Sequence, residues 1–197
     1  MLIVQHRVNS AAALAATPKE FGVELDIRSN ESGLYLAHDP YVLGERFESY
    51  LADYSHQLIV LNVKEEGLED RVEELLDQRG ISNYFFLDQS LPFLIKRGLK
   101  GHLRQAARMS EYESIDSVRK ISSFCEWVWV DFFNEPALDR DAIEQVQSLG
   151  LKVCLVSPEL HGAHREHEAV VLAQQVKNSG LKIEAVCTKL PSVWSEL

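Results

Sequence analysis

Short apolar runs alternate with longer amphipathic stretches along the whole chain, and this rhythm limits the fold more than any other feature. The apolar runs read as strands at LIVQH (2–6), VELDIR (23–28), LIVLNVK (58–64), YFFLD (84–88), GHLRQA (101–106), WVWVDFF (127–133), KVCLV (152–156) and IEAVC (183–187). Between them lie helical patterns such as LEDRVEELLDQRG, LPFLIKRG, DRDAIEQVQSLG and HEAVVLAQQVKNSG. Gly80, Gly98, Gly150 and Gly180 stand where helices stop. Near-continuous apolar strands separated by amphipathic helices predict a parallel sheet covered by helices. Eight such units suit a compact (β/α)8 TIM barrel without a large insertion, or an open doubly wound sheet. No glycine-rich phosphate loop follows the first strand, which counts against the nucleotide-binding form of the open sheet. No linker or repeat interrupts the pattern, so residues 1–197 are read as one domain.

Composition narrows the function. The chain carries 20 basic and 30 acidic side chains, a net charge of −10. That surface does not suit nucleic acid, whose binding needs a basic footprint. No apolar run approaches the ~18 residues of a membrane span. The N-terminal MLIVQHRV is too soon interrupted for a signal peptide. Cys125, Cys154 and Cys187 each sit in an apolar segment and are expected to be buried free thiols in a reducing, cytoplasmic setting.

Polar residues collect at the C-terminal ends of the strands: His6 and Arg7, Glu24, Asp26 and Arg28, Asn62 and Lys64, Asp88, Arg104, Asp131, and Thr188 with Lys189. In a barrel these ends form the rim on which active sites are built. Strand side chains alternate, so Glu24 and Asp26 share one face while Val23, Leu25 and Ile27 share the other. Two buried like charges need compensation. A hard divalent cation would supply it, as would pairing with Arg7 or Arg28. A tight turn, SNESG, and a second strand, LYLA, fold His38-Asp39 back beside Glu24 and Asp26. His6 and His38 could then serve as general acid and base. The stretch HGAHREH places His161, His164 and His167 at spacings that share a helix side, either as a solvated helix start or as a second metal site.

His6-Arg7, Glu24-x-Asp26, a turn with Gly33, and His38-Asp39 together resemble the signature of the glycerophosphodiester phosphodiesterases. These are (β/α)8-barrel enzymes of the superfamily that includes sphingomyelinase D toxins and phosphatidylinositol-specific phospholipases C. The resemblance is close over residues 5–39 and loose over the rest. It implies a metal-dependent phosphodiesterase that splits a small glycerophosphodiester-like substrate into a phosphomonoester and an alcohol. His6 and His38 would be the acid–base pair, and Arg7 and Lys64 would hold the phosphate. Glu24, Asp26 and Asn62 would hold a divalent cation, magnesium or calcium. Members of the family place a third carboxylate where this chain has Asn62, so the resemblance implies a weakly held ion. Two other outcomes fit the same residues: a phosphoester-binding barrel without turnover, and a lyase that stops at a cyclic phosphate. Two regions depart from the family: Pro40 leads almost directly into GERFESYL, and the seventh strand ends in CLVSPEL.

Overall fold

The computed structural model describes residues 1–195. Nine strands and eight helices follow one another: β1 (Leu2–Gln5), α1 (Ala11–Ala16), β2 (Gly22–Asn30), β3 (Gly33–Leu36), α2 (Phe47–Tyr50), β4 (Ile59–Val63), α3 (Glu69–Gln78), β5 (Tyr84–Leu87), α4 (Leu91–Gly98), β6 (Ala106–Met109), α5 (Ile115–Ile121), β7 (Trp127–Val130), α6 (Arg140–Ser148), β8 (Lys152–Val156), α7 (Glu166–Ser179), β9 (Ala185–Thr188) and α8 (Pro191–Trp194). The strand order is β5-β4-β2-β1-β9-β8-β7-β6, with β3 a branch on β2. This is the expected (β/α)8 fold without large insertions, and the open sheet is set aside. Among the described residues, no helix is long and apolar enough to cross a membrane.

The chain divides into two compact units, Val4–Leu94 and Met1–Ile3 with Ile95–Leu197. Strand β1 contributes to both. Its Val4 and Gln5 pair in parallel with Gly22 and Val23, and its Leu2 N–H donates to the Glu184 carbonyl.

In the first unit β2 lies between β1 and β4, both parallel to it. Val23, Leu25 and Ile27 enter a core with Phe47, Tyr50, Leu61, Val72, Leu76 and Phe86. Strand β2 is long because its second half pairs antiparallel with β3, from Ile27–Leu36 to Asn30–Gly33. Gly33 closes that hairpin at φ 116°, a conformation that disfavours any side chain. The GERFESYL pattern yields only the single turn Phe47–Tyr50, held by the burial of those two aromatic rings. A turn and irregular chain take over before β4.

In the second unit β6, β7, β8 and β9 form successive parallel pairs. Cys125, Cys154 and Cys187 are buried, as expected. Two local expectations are corrected. The fifth apolar run is not the strand; β6 is displaced to Ala106–Met109, so Arg104 precedes it and Arg108 lies on it. Ala106 and Ala107 register against Trp127 and Val128. Gly98 is the last residue of α4 rather than a left-handed stop after it. It is required for space, because a Cβ there would meet the Cβ of Phe124.

Candidate active site

The first unit gathers seven polar side chains singled out above, and each is placed by an element. At the end of β1 the chain turns sharply through Arg7, whose φ is 54°. This turn aims the Arg7 N–H at Glu24 Oε2, 2.8 Å away, and the Val8 N–H at the Glu24 carbonyl. His6 Nε2 stands 3.7 Å from the same carboxylate oxygen. Glu24 and Asp26 are 1 % and 0 % exposed, so β2 does carry two carboxylates into the interior. Asp26 pairs in register with Asn62 of β4. Lys64, two residues on, places Nζ 2.9 Å from Asp26 Oδ1.

Lys64 therefore supplies the cation that sequence reasoning had also sought among the arginines. Arg28 reaches Glu65 at 3.7 Å and the His38 carbonyl at 2.9 Å. The Arg7 guanidinium goes to His38, and only the Arg7 backbone serves Glu24.

Burial pushes the Glu24 carboxyl up to about 8, and the neighbouring Asp26 charge adds to the effect. The Arg7 N–H, Lys64 and a hydrogen bond from the Asn62 side chain offset it only in part. Since a carboxylate accepts, the Asn62 amide nitrogen donates, and its Oδ1 is left buried without a hydrogen-bond partner. Two buried carboxyl groups and an orphaned carbonyl oxygen are oxygen donors of the kind a hard divalent cation takes.

The sign of the pH dependence follows from Glu24. Its folded value lies above the 4.5 of the free carboxyl, so the native state binds the extra proton. In chelator, the stability that Glu24 contributes is fully present below pH ~4.5 and is lost as pH rises through ~8. Glu24→Gln should flatten that slope in urea titrations run across this range. An unchanged slope would mean that Glu24 is ionised in the folded chain.

His38 approaches from the other side. The Ala37 N–H bonds the Asp26 carbonyl, which brings β3 back to the level of the carboxylates. His38 Nε2 lies 2.6 Å from an Arg7 guanidinium nitrogen, and Nδ1 lies 2.7 Å from Asp39 Oδ1. Arginine can only donate, so Nε2 accepts and Nδ1–H donates to Asp39. That hydrogen bond holds the exposed Asp39 carboxyl below its ordinary range.

Asn9 is the member that sequence reasoning missed. Its Nδ2 donates to Asp26 Oδ2 at 2.7 Å, and its Oδ1 accepts the Asp26 N–H at 2.8 Å. One asparagine thus fixes both the backbone and the carboxylate of Asp26. Asn9→Ala strands two buried polar groups and should lower stability by roughly 2 kcal/mol. The check is a lower urea midpoint at unchanged slope.

In the second unit Asp131, 3 % exposed, takes Arg108 at 2.5 Å and His161 Nε2 at 3.1 Å. The HGAHREH stretch is not one helix side. It forms two single turns, Pro158–His161 and Ala163–Arg165, broken at Gly162, and α7 starts only at Glu166. Thr188 and the Lys189 N–H both bond Glu159 Oε1.

No family model and no curated protein matches the sequence. Solved structures do. A glycerophosphodiester phosphodiesterase from Agrobacterium tumefaciens str. C58 superposes over all of both chains with a TM-score of 0.73 at 14 % identity. A glycerophosphoryl diester phosphodiesterase from Parabacteroides distasonis ATCC 8503 gives a TM-score of 0.67 at 12 % identity, over 99 % of this chain and 85 % of that one. The chain has the fold of these phosphodiesterases. At such identities the likeness extends to the fold alone.

Proposed function

We propose that the chain is a phosphodiesterase acting on a small glycerophosphodiester-like substrate. The observation that carries this reading is the linked set Asp39–His38–Arg7–Glu24, with His6 against the same carboxylate. It puts two imidazoles and a guanidinium around one buried acidic floor. An incoming phosphate would draw Arg7 to its oxygens and release His38 Nε2. With its other nitrogen donating to Asp39, His38 then has the lone pair to take a proton from water. The water oxygen bonds to phosphorus, the bond to the alcohol oxygen breaks, and His6 donates the proton that the alcohol needs. Lys64 and Arg7 offset the phosphate charge. Glu24, Asp26 and Asn62 would hold a magnesium or calcium ion, which when bound supplies further charge neutralisation at the phosphate.

A second reading is favoured by one specific feature, the 2.9 Å contact of Lys64 with Asp26. A lysine already seated on a carboxylate suits a barrel that binds phosphoesters without a metal and without turnover. Assays of glycerophosphodiesters, lysophospholipids and bis(p-nitrophenyl) phosphate, with and without magnesium, calcium and manganese, separate the two. Turnover of any of these supports the enzyme, and binding without turnover in every condition supports the rival. Phosphorus NMR of the product distinguishes a monoester from a cyclic phosphate, and hence hydrolase from lyase.

A further inference from the structure

Directly after His38-Asp39 the chain makes a protrusion with both feet on the end of β3. On one side the His38 carbonyl is gripped by Arg28. On the other, Gly44 is pressed against the Leu36 carbonyl, where no side chain would fit, and the Leu36 N–H bonds the Glu45 carbonyl. Glu45 in turn accepts the Ala11 N–H at 2.6 Å. Between these fixed feet stand Tyr41, Val42 and Leu43, exposed to 101 %, 51 % and 82 %. Tyr41 has a φ of 63°, an uncommon conformation for a bulky side chain.

Single exposed apolar side chains such as Leu99 are ordinary. Three consecutive ones at the tip of a braced loop are not. Tyr41 is three residues from His38, so their Cα atoms lie within about 11 Å. Whatever covers the tip therefore sits beside the group that meets the substrate. A second copy of the chain is a poor candidate, because three side chains fall far short of the ~800 Å² per partner of a stable interface. A lipid surface needs no such area: a few apolar side chains, one of them an amphipathic tyrosine, are enough to partition into the headgroup boundary. The charge of −10 disfavours an anionic bilayer and favours a zwitterionic one.

We propose that Tyr41–Leu43 seats this end of the first unit on a zwitterionic lipid surface, so that the phosphodiester presented to Arg7 and His38 is that of an amphiphile. The substrate class rests on the phosphodiesterase reading above; the lipid seat does not. The test is co-sedimentation of the full chain with phosphatidylcholine vesicles, and with vesicles containing phosphatidylserine. The wild type should bind the zwitterionic vesicles more strongly. Each exposed side chain contributes roughly tenfold on burial, so the double variant Tyr41→Ser/Leu43→Ser should lower the partition coefficient by about 100-fold. Leu99→Ser, at an equally open but isolated site, should leave it unchanged. Both variants alter exposed side chains, and matching thermal midpoints verify their folding. Failure of the wild type to bind at millimolar lipid overturns the proposal. So does equal binding by the double variant, or a concentration-dependent dimer that the double variant abolishes with no vesicle binding at all. Turnover of soluble bis(p-nitrophenyl) phosphate by the wild type is measured alongside. Turnover without vesicle binding defeats the lipid seat and keeps the phosphodiesterase; tip-dependent binding without turnover of soluble or vesicle-borne diesters does the reverse.

Discussion

Replacing His38 by alanine is expected to lower turnover of a soluble phosphodiester by ~10²–10⁴-fold, the usual contribution of a positioned acid or base. The fold should barely change. The imidazole is 38 % exposed and, among the described residues, bonds Arg7 and Asp39, which are themselves exposed. The His38 carbonyl, which Arg28 holds, survives the substitution. His6→Ala should lower turnover to a similar degree, since without it the departing alcohol has no proton donor in the proposed mechanism. Binding should respond differently. Arg7 and Lys64 remain, so KM should move far less than kcat, the sign of an interaction made in the transition state. Loss of Arg7 as Arg7→Ala should act in the opposite sense and raise KM. If both histidine variants retained near wild-type kcat on a diester that the wild type clearly cleaves, the acid–base assignment would be wrong.

How much of this site could be read beforehand depends on how local each signal is. Glu24 and Asp26 stood out because strand alternation is local: two acids at i and i+2 in an apolar run must face the same way, and both are buried. His38 was legible because SNESG and LYLA mark a hairpin, and a hairpin fixes which residue returns beside which. Asn62 and Lys64 followed from the same alternation in LIVLNVK. Asn9 could not be read this way. Its value depends on the turn at Arg7, which swings residue 9 back over β2, and nothing in HRVNS reports a φ of 54°. A weak trace existed, in that a short amide precedes the Ser10 helix cap at a strand end.

The errors have the same origin. Strand β6 was misplaced because its own residues, AARM, are weakly apolar. What makes it a strand is a neighbour, the tryptophan-rich β7, rather than its own pattern. The histidines of HGAHREH share a helix side only if the stretch is one continuous helix. His161 is drawn away to Asp131, Arg165 is buried against the carbonyls of Phe132 and Phe133, and the break falls at Gly162 between them. The exposure of Tyr41–Leu43 has no local signal either, because a run of apolar residues does not report whether the fold covers it.

The most informative change to the acidic floor is Asn62→Glu. It puts a third carboxylate in register with Asp26 and beside Glu24. In chelator the result should be a damaged protein. Above pH ~8, where Glu24 is ionised, three buried carboxylates would face one lysine, and an uncompensated buried charge costs about 3–5 kcal/mol, a large part of the 5–15 kcal/mol that holds a typical domain together. Added magnesium or calcium should reverse the loss, because each further ligand charge tightens such a site and an ion that binds only the native state stabilises it by mass action. The wild type should gain less from the same ion, since it has one negative charge fewer and Lys64 already occupies one oxygen of Asp26. Thermal melts with chelator and with millimolar ion, and calorimetric titration of both proteins, give the comparison without relying on activity. Should neither protein bind either ion, the cation site is refuted and Lys64 is the resident counter-charge. Should Asn62→Glu prove as stable in chelator as the wild type, Lys64 must serve two carboxylates at once, which again points to a floor built without a metal. Tighter binding and a larger thermal gain in Asn62→Glu would instead identify Glu24, Asp26 and Asn62 as a true cation site, weakened by a single amide.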